Sequence, residues 1–119
     1  MQKTKRAFKT VILGHHYEVP EYEVKKDVGI VETGKTVPMY LVRGSKVTAN
    51  NIEPMRKGTL HEHYLTVMIE DLKFKDAEFP SKETACAITK LEEARMYLEE
   101  REKIREAQGV LGTYQPHKS

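Results

Sequence analysis

The chain has no tryptophan, a single cysteine (Cys86) and no long hydrophobic run. One cysteine forbids an intrachain disulfide framework, which points to a reducing compartment. Nothing approaches the length of a membrane span. The apolar run before Gly14 is too short for a signal peptide and lacks small cleavage-type residues. A soluble, intracellular protein is expected. Charge of one sign is missing too. Twenty basic side chains against 18 acidic ones leave +2, too little for a protein that coats duplex nucleic acid. Apolar residues are scarce at 39%, so 119 residues make one domain with a thin core that a second copy would help to cover.

What is present divides into two periods. From Ala7 to about Asn50 the pattern is β-like: Val11-Ile12-Leu13 ends at Gly14, and Tyr17-Glu18-Val19 stops at Pro20. Gly29-Ile30-Val31-Glu32 meets Lys35 to Val42 through Thr33-Gly34, which reads as a hairpin turn, and Gly44-Ser45 closes the region. From Gly58 the period becomes helical. Thr59 and Glu62 fit a capping box, and Leu60, Tyr64, Met68 and Leu72 recur every fourth residue, widened by Leu65 and Ile69. Phe74 to Pro80 breaks that period, and Ser81 is a natural N-cap for a second helix with Glu83 in its first turn. Ile88, Leu91, Ala94 and Leu98 make its stripe, Met96 and Tyr97 lie off it, and Gly109 is a fitting C′ residue.

The expected fold class is therefore α+β: a small antiparallel N-terminal sheet, then a C-terminal helical hairpin, assembled as a dimer or higher oligomer. Residues 1–57 form the β region, 58–113 the hairpin with its closing turn, and 114–119 a tail expected to be mobile.

Three features imitate active sites. Gly29 to Thr36 satisfies the phosphate-loop pattern letter for letter, and Val67 to Asp71 imitates an apolar strand ending on a magnesium-binding acid. A phosphate loop needs a helix to begin at its Gly-Lys-Thr, whereas Val37 to Val42 is β-branched, contains Pro38 and reads as a strand. His15-His16 and His61-Glu62-His63 suggest a metal, yet residues two apart on a helix point to nearly opposite sides, so solvated or capping histidines are expected. Cys86 lies between Ala85 and Ala87 with no activating histidine on its face, and reads as a small buried residue. No metal and no cofactor are expected.

One feature asks for a partner. Lys103 and Arg95 have Glu99 at helical spacing, but the helical neighbours of Arg101 are Tyr97, Leu98, Ile104 and Arg105, none of them acidic. Two guanidinium groups one turn apart, beside a tyrosine and near a glycine turn, suit a phosphate or pyrophosphate. A carboxylate from the other helix or another chain would satisfy them equally.

The second half carries a resemblance. Phe79-Pro80-Ser81-Lys82-Glu83-Thr84-Ala85, then Ala87-Ile88-Thr89-Lys90-Leu91-Glu92-Glu93-Ala94-Arg95-Met96-Tyr97-Leu98, then Gly109-Val110-Leu111-Gly112-Thr113, is similar to the helical hairpin of phage anti-Thoeris and anti-CBASS sponge proteins. The closing Gly-Val-x-Gly-Thr and the larger β-type first half point to the Thoeris anti-defence family, type one. The resemblance runs from about Gly58 to Thr113. It implies a protein that is not an enzyme but holds a cyclic ADP-ribose-type signal, a glyco-cyclic isomer, away from its effector. Pockets would form between protomers of a homodimer or homohexamer, with cyclic trinucleotides as a further ligand class, and with neither membrane nor DNA involved. The place of action would be the cytoplasm of the infected or lysogenic bacterial host. Phe74 would stack on a base, Arg101 and Arg105 would meet phosphate, and Gly109, Val110, Gly112 and Thr113 would supply turn amides. Thr84, where the family often has Asn, belongs to the same ligand-binding set. The family's Arg-Gly-Val-Glu-Gly-Thr is changed here at Gln108 and Leu111, which bears on ligand preference. The alternative is an oligomeric phage structural or interaction protein with no nucleotide ligand.

Overall fold

The computed structural model describes residues 8–48 and 51–107. Strands β1 (Lys9–Ile12), β2 (His16–Lys25), β3 (Gly29–Tyr40), β4 (Lys46–Thr48) and β5 (Asn51–Glu53) precede helices α1 (His61–Glu78) and α2 (Lys82–Ala107). This is an α+β fold with an antiparallel sheet ahead of two C-terminal helices, as the change of period implied. The chain divides into two compact units, Met1–Arg43 with Arg56–Gly58, and Gly44–Met55 with Thr59–Ser119.

In the first unit the sheet order is β1-β2-β3, every pair antiparallel. Thr10 faces Tyr17 and Tyr17 faces Met39, with Val19 opposite Val37 on the same side, and Phe8 stands edge-on to Tyr17 at 5.8 Å between ring centroids. The other side carries His16, Glu18, Thr36 and Tyr40. The alternation thus makes one apolar and one polar face. No side chain of this sheet is fully buried among the described residues, and Phe8 and Val37 are exposed.

Two expected stops are not stops. β2 runs through Pro20, because beyond Glu18 β1 no longer pairs with it and one side of the strand is open where the missing N–H falls. Thr33-Gly34 is not a hairpin turn. β3 is continuous from Gly29 to Tyr40, and between the pairs Pro20–Thr36 and Tyr22–Glu32 three residues of β3 oppose Glu21 alone. This is a bulge, and Gly34 takes it up with φ +88°. The turn lies instead at residues 26–28, where Asp27 adopts φ 66° and the N–H of Val28 donates to the Lys25 carbonyl at 3.1 Å. Aspartate tolerates that left-handed backbone better than most residues.

In the second unit β4 and β5 form a short hairpin, Lys46 opposite Glu53 and Val47 opposite Ile52, in a stretch where the sequence pattern had placed an end to the strands. α1 and α2 pack together along their length, as Lys73 Nζ to Glu92 Oε2 at 3.3 Å and Arg95 Nη1 to Thr66 Oγ1 at 3.2 Å show. The core is thin as expected: Ile69 and Ile88 are the only buried apolar side chains among the described residues. Leu65, Leu72, Leu91 and Leu98 flank them half-buried, whereas Met68 and Ala94 face outward, so the packed stripe is narrower than the periodicity suggested. Cys86 is exposed rather than buried, because the first turns of α2 show that side to solvent. Phe74 does not break α1, which continues to Glu78.

The helix starts differ. Ser81 caps α2: its Oγ accepts the Thr84 N–H at 3.0 Å and donates to Thr84 Oγ1 at 2.7 Å, while its own N–H donates to Asp76 Oδ1 at 3.0 Å. At α1 the capping box is not formed. The cap residue is Leu60, without a side-chain bond, and Glu62 turns inward instead of back to Thr59. Ser81→Ala is accordingly expected to cost about 1 kcal/mol of stability, read as a lowered urea midpoint, since it leaves the Thr84 amide without its partner.

Candidate functional site

The positions that the resemblance assigns to a ligand fall at two ends of one hairpin. Thr84 sits in the first turn of α2, its hydroxyl accepting from Ser81 and its proton left to offer. Phe74 is on the last turns of α1 near the same end, 64% exposed, flanked along the helix by Glu70, Asp71 and Glu78. Arg101 and Arg105 lie at the far end of α2. Arg101 follows Thr84 by seventeen positions of unbroken helix, about 25 Å at ~1.5 Å per residue. Gly109, Val110, Gly112 and Thr113, and the tail from Tyr114, lie outside the described residues. A single hairpin therefore does not gather its aromatic and its guanidinium groups into one pocket.

The two arginines also differ from each other. Arg101 is exposed on the side of α2 that shows Tyr97, 78% exposed, and Met96 to solvent. Arg105 is half-buried and already makes an interaction of its own. Two shallow hollows run along α2, one lined by Met96, Tyr97, Glu99, Glu100 and Lys103, the other by Glu99, Glu102, Lys103 and Glu106. Both hold more carboxylates than cations, and neither is lined by Arg101 or Arg105.

The paired histidines of the first half are neither solvated nor capping. His15 Nδ1 bonds the Leu41 carbonyl at 2.9 Å, and His16 stacks on Tyr40 with ring centroids 4.5 Å apart while its Nε2 meets Glu18 Oε2. Thr36 Oγ1 donates to the other Glu18 oxygen at 2.7 Å. The Glu18 carboxyl is held below its ordinary value, first by Thr36 and then by His16. Sequence could have found this cluster: His16 and Glu18 are two apart on a strand and share a face. Among the described residues no group of three or more His, Cys, Asp or Glu side chains could hold a metal ion. Lys35 lies within β3 and no helix begins there, so the phosphate-loop match lacks the amides the motif depends on. Its backbone N–H donates instead to Thr33 Oγ1 at 3.1 Å, beside the bulge.

The geometry defines a class first: an α+β protein whose long, charge-rich hairpin bears an exposed arginine and whose antiparallel sheet exposes Phe8 and Val37. No described helix is long and apolar enough to cross a membrane. No family model matches the chain. It is, however, 44% identical over 59 residues to Thoeris anti-defense 1 of Bacillus phage SBSphiJ7, a span that is 49% of this chain and 42% of that protein. The match supports the Thoeris anti-defence family and does not reach the anti-CBASS proteins. The chain spans less than half the length of that relative.

Proposed function

We propose that this chain is a phage anti-defence protein that binds a cyclic ADP-ribose-type signalling nucleotide in the cytoplasm of the bacterial host and withholds it without degrading it. The observation that carries this reading is the 44% identity over 59 residues to a phage protein named Thoeris anti-defense 1. The hairpin adds a structural argument. Phe74 and Thr84 at one end and Arg101 and Arg105 at the other complete a pocket only when a second copy sets its own hairpin end alongside. A homodimer or homohexamer supplies that arrangement. A glyco-cyclic ADP-ribose is the ligand proposed, with cyclic trinucleotides as a second class.

Capture predicts that the ligand survives. Native mass spectrometry of the protein with each cyclic nucleotide is expected to show one assembled state carrying it, and denaturing the complex should release it unchanged. Recovery of a linear or hydrolysed product would mean catalysis and end the capture reading. The acidic hollows along α2 favour one other reading, an oligomeric structural or interaction protein with no nucleotide ligand. In that case no cyclic nucleotide raises the melting temperature, as any ligand of the native state must.

A further inference from the structure

Arg43, shortly after β3, and Arg56 face each other across an isolated antiparallel bridge. The N–H of each donates to the carbonyl of the other, at 3.0 and 2.9 Å. Residues directly opposite in such a hydrogen-bonded pair project their side chains to the same face, with Cα atoms about 5.5 Å apart. Like charges so placed destabilise a sheet. Both arginines are half-buried, and partly buried charges are screened less than exposed ones. The segments that meet here, residues 13–16, 41–43 and 56–58, hold no Asp or Glu and add a further cation, Lys57.

The guanidinium of Arg43 has a prepared seat. It lies over Gly14, where a Cβ would stand 2.8 Å from its Nη1 and 3.3 Å from its Cδ. Glycine leaves that room and also accepts φ +83° there. The loop is fixed in turn: the Gly14 N–H donates to Tyr17 Oη at 2.8 Å, the Leu41 N–H donates to the His15 carbonyl at 2.7 Å, and His15 Nδ1 bonds the Leu41 carbonyl. Arg43 already makes an interaction of its own, and the five donors of a guanidinium leave it others to give. We propose that Arg43 and Arg56 form an anion site that takes one phosphate group, separate from Arg101 and Arg105 and independent of the capture reading. An anion held by both guanidinium groups replaces their repulsion with charge-assisted hydrogen bonds, and the planar fork of arginine suits paired phosphate oxygens. The chemistry recognised is the phosphate group itself, free or esterified to a nucleoside.

Thermal unfolding of the full chain in inorganic phosphate or adenosine monophosphate, each against chloride at equal ionic strength, tests the site. Wild type is expected to melt about 2–5 °C higher with phosphate present, since a ligand of the native state stabilises it. Arg56→Ala is expected to lose most of that rise, and the arm that loses more identifies the phosphate as free or nucleoside-borne. The Arg101→Ala, Arg105→Ala double variant should keep it, which separates this site from the one on α2. No rise over chloride in wild type, or a rise kept in Arg56→Ala, would overturn the proposal. If Arg56→Ala fails to fold, Arg56→Gln, which keeps a polar side chain without the charge, decides in its place.

Discussion

Replacing Arg101 and Arg105 together by alanine is expected to weaken binding of a glyco-cyclic ADP-ribose about a hundredfold or more. Each charge-assisted hydrogen bond to phosphate contributes about 1.5–3 kcal/mol, and about 1.4 kcal/mol is tenfold in affinity. Calorimetric titration measures the loss, with the melting temperature of the free protein as the folding control. The single variants should differ. Arg101→Ala removes an exposed side chain and is expected to leave melting unchanged, whereas Arg105 is half-buried and engaged, so Arg105→Ala should lower it slightly. Unchanged affinity in a folded double variant would remove both residues from the site. A collapse in melting without ligand would instead mean that they pair with carboxylates across the assembly.

Gly58→Ala is expected to lower the melting temperature by roughly 5–15 °C. Gly58 packs against the backbone where β3 ends. A Cβ there would lie 2.5 Å from the Leu41 carbonyl carbon and 2.7 Å from the Val42 nitrogen, closer than real contacts allow. Those are main-chain atoms, which a rotamer change cannot move aside, and their neighbourhood is pinned. The Arg43 N–H donates to the Arg56 carbonyl at 3.0 Å and the Arg56 N–H to the Arg43 carbonyl at 2.9 Å. Gly58→Val should be worse than Gly58→Ala. A differential-scanning measurement that finds Gly58→Ala as stable as wild type would show that this close approach is not kept in solution.

Gly58 was visible in the sequence only as the place where the period changes, because a close backbone approach leaves no periodic trace. The burial of Glu62 was hidden for a related reason: it reads locally as half of a capping box, and only the packing of α1 on α2 turns it inward. The like-charged arginine pair was legible in the helical spacing, whereas Phe74 entered only through the resemblance; its separation from Arg101 along the hairpin follows once the turn at Ser81 is placed, but how a second copy docks does not.

By itself the sequence determined what short-range chemistry controls. Ser81 caps a helix because a hydroxyl can take the amide three residues on, Lys35 cannot open a helix because β-branched residues and Pro38 follow it, and the switch from alternating to fourfold spacing divides strands from helices. Tertiary structure decided everything that depends on which surface meets which. It turned the glycine at position 34 into a bulge and gave the reversal to Asp27, because strand register is settled across the sheet and not along one strand. It put Glu62 inside and left Met68 and Cys86 outside, because burial follows the narrow line of contact between two helices, which no single helix can specify.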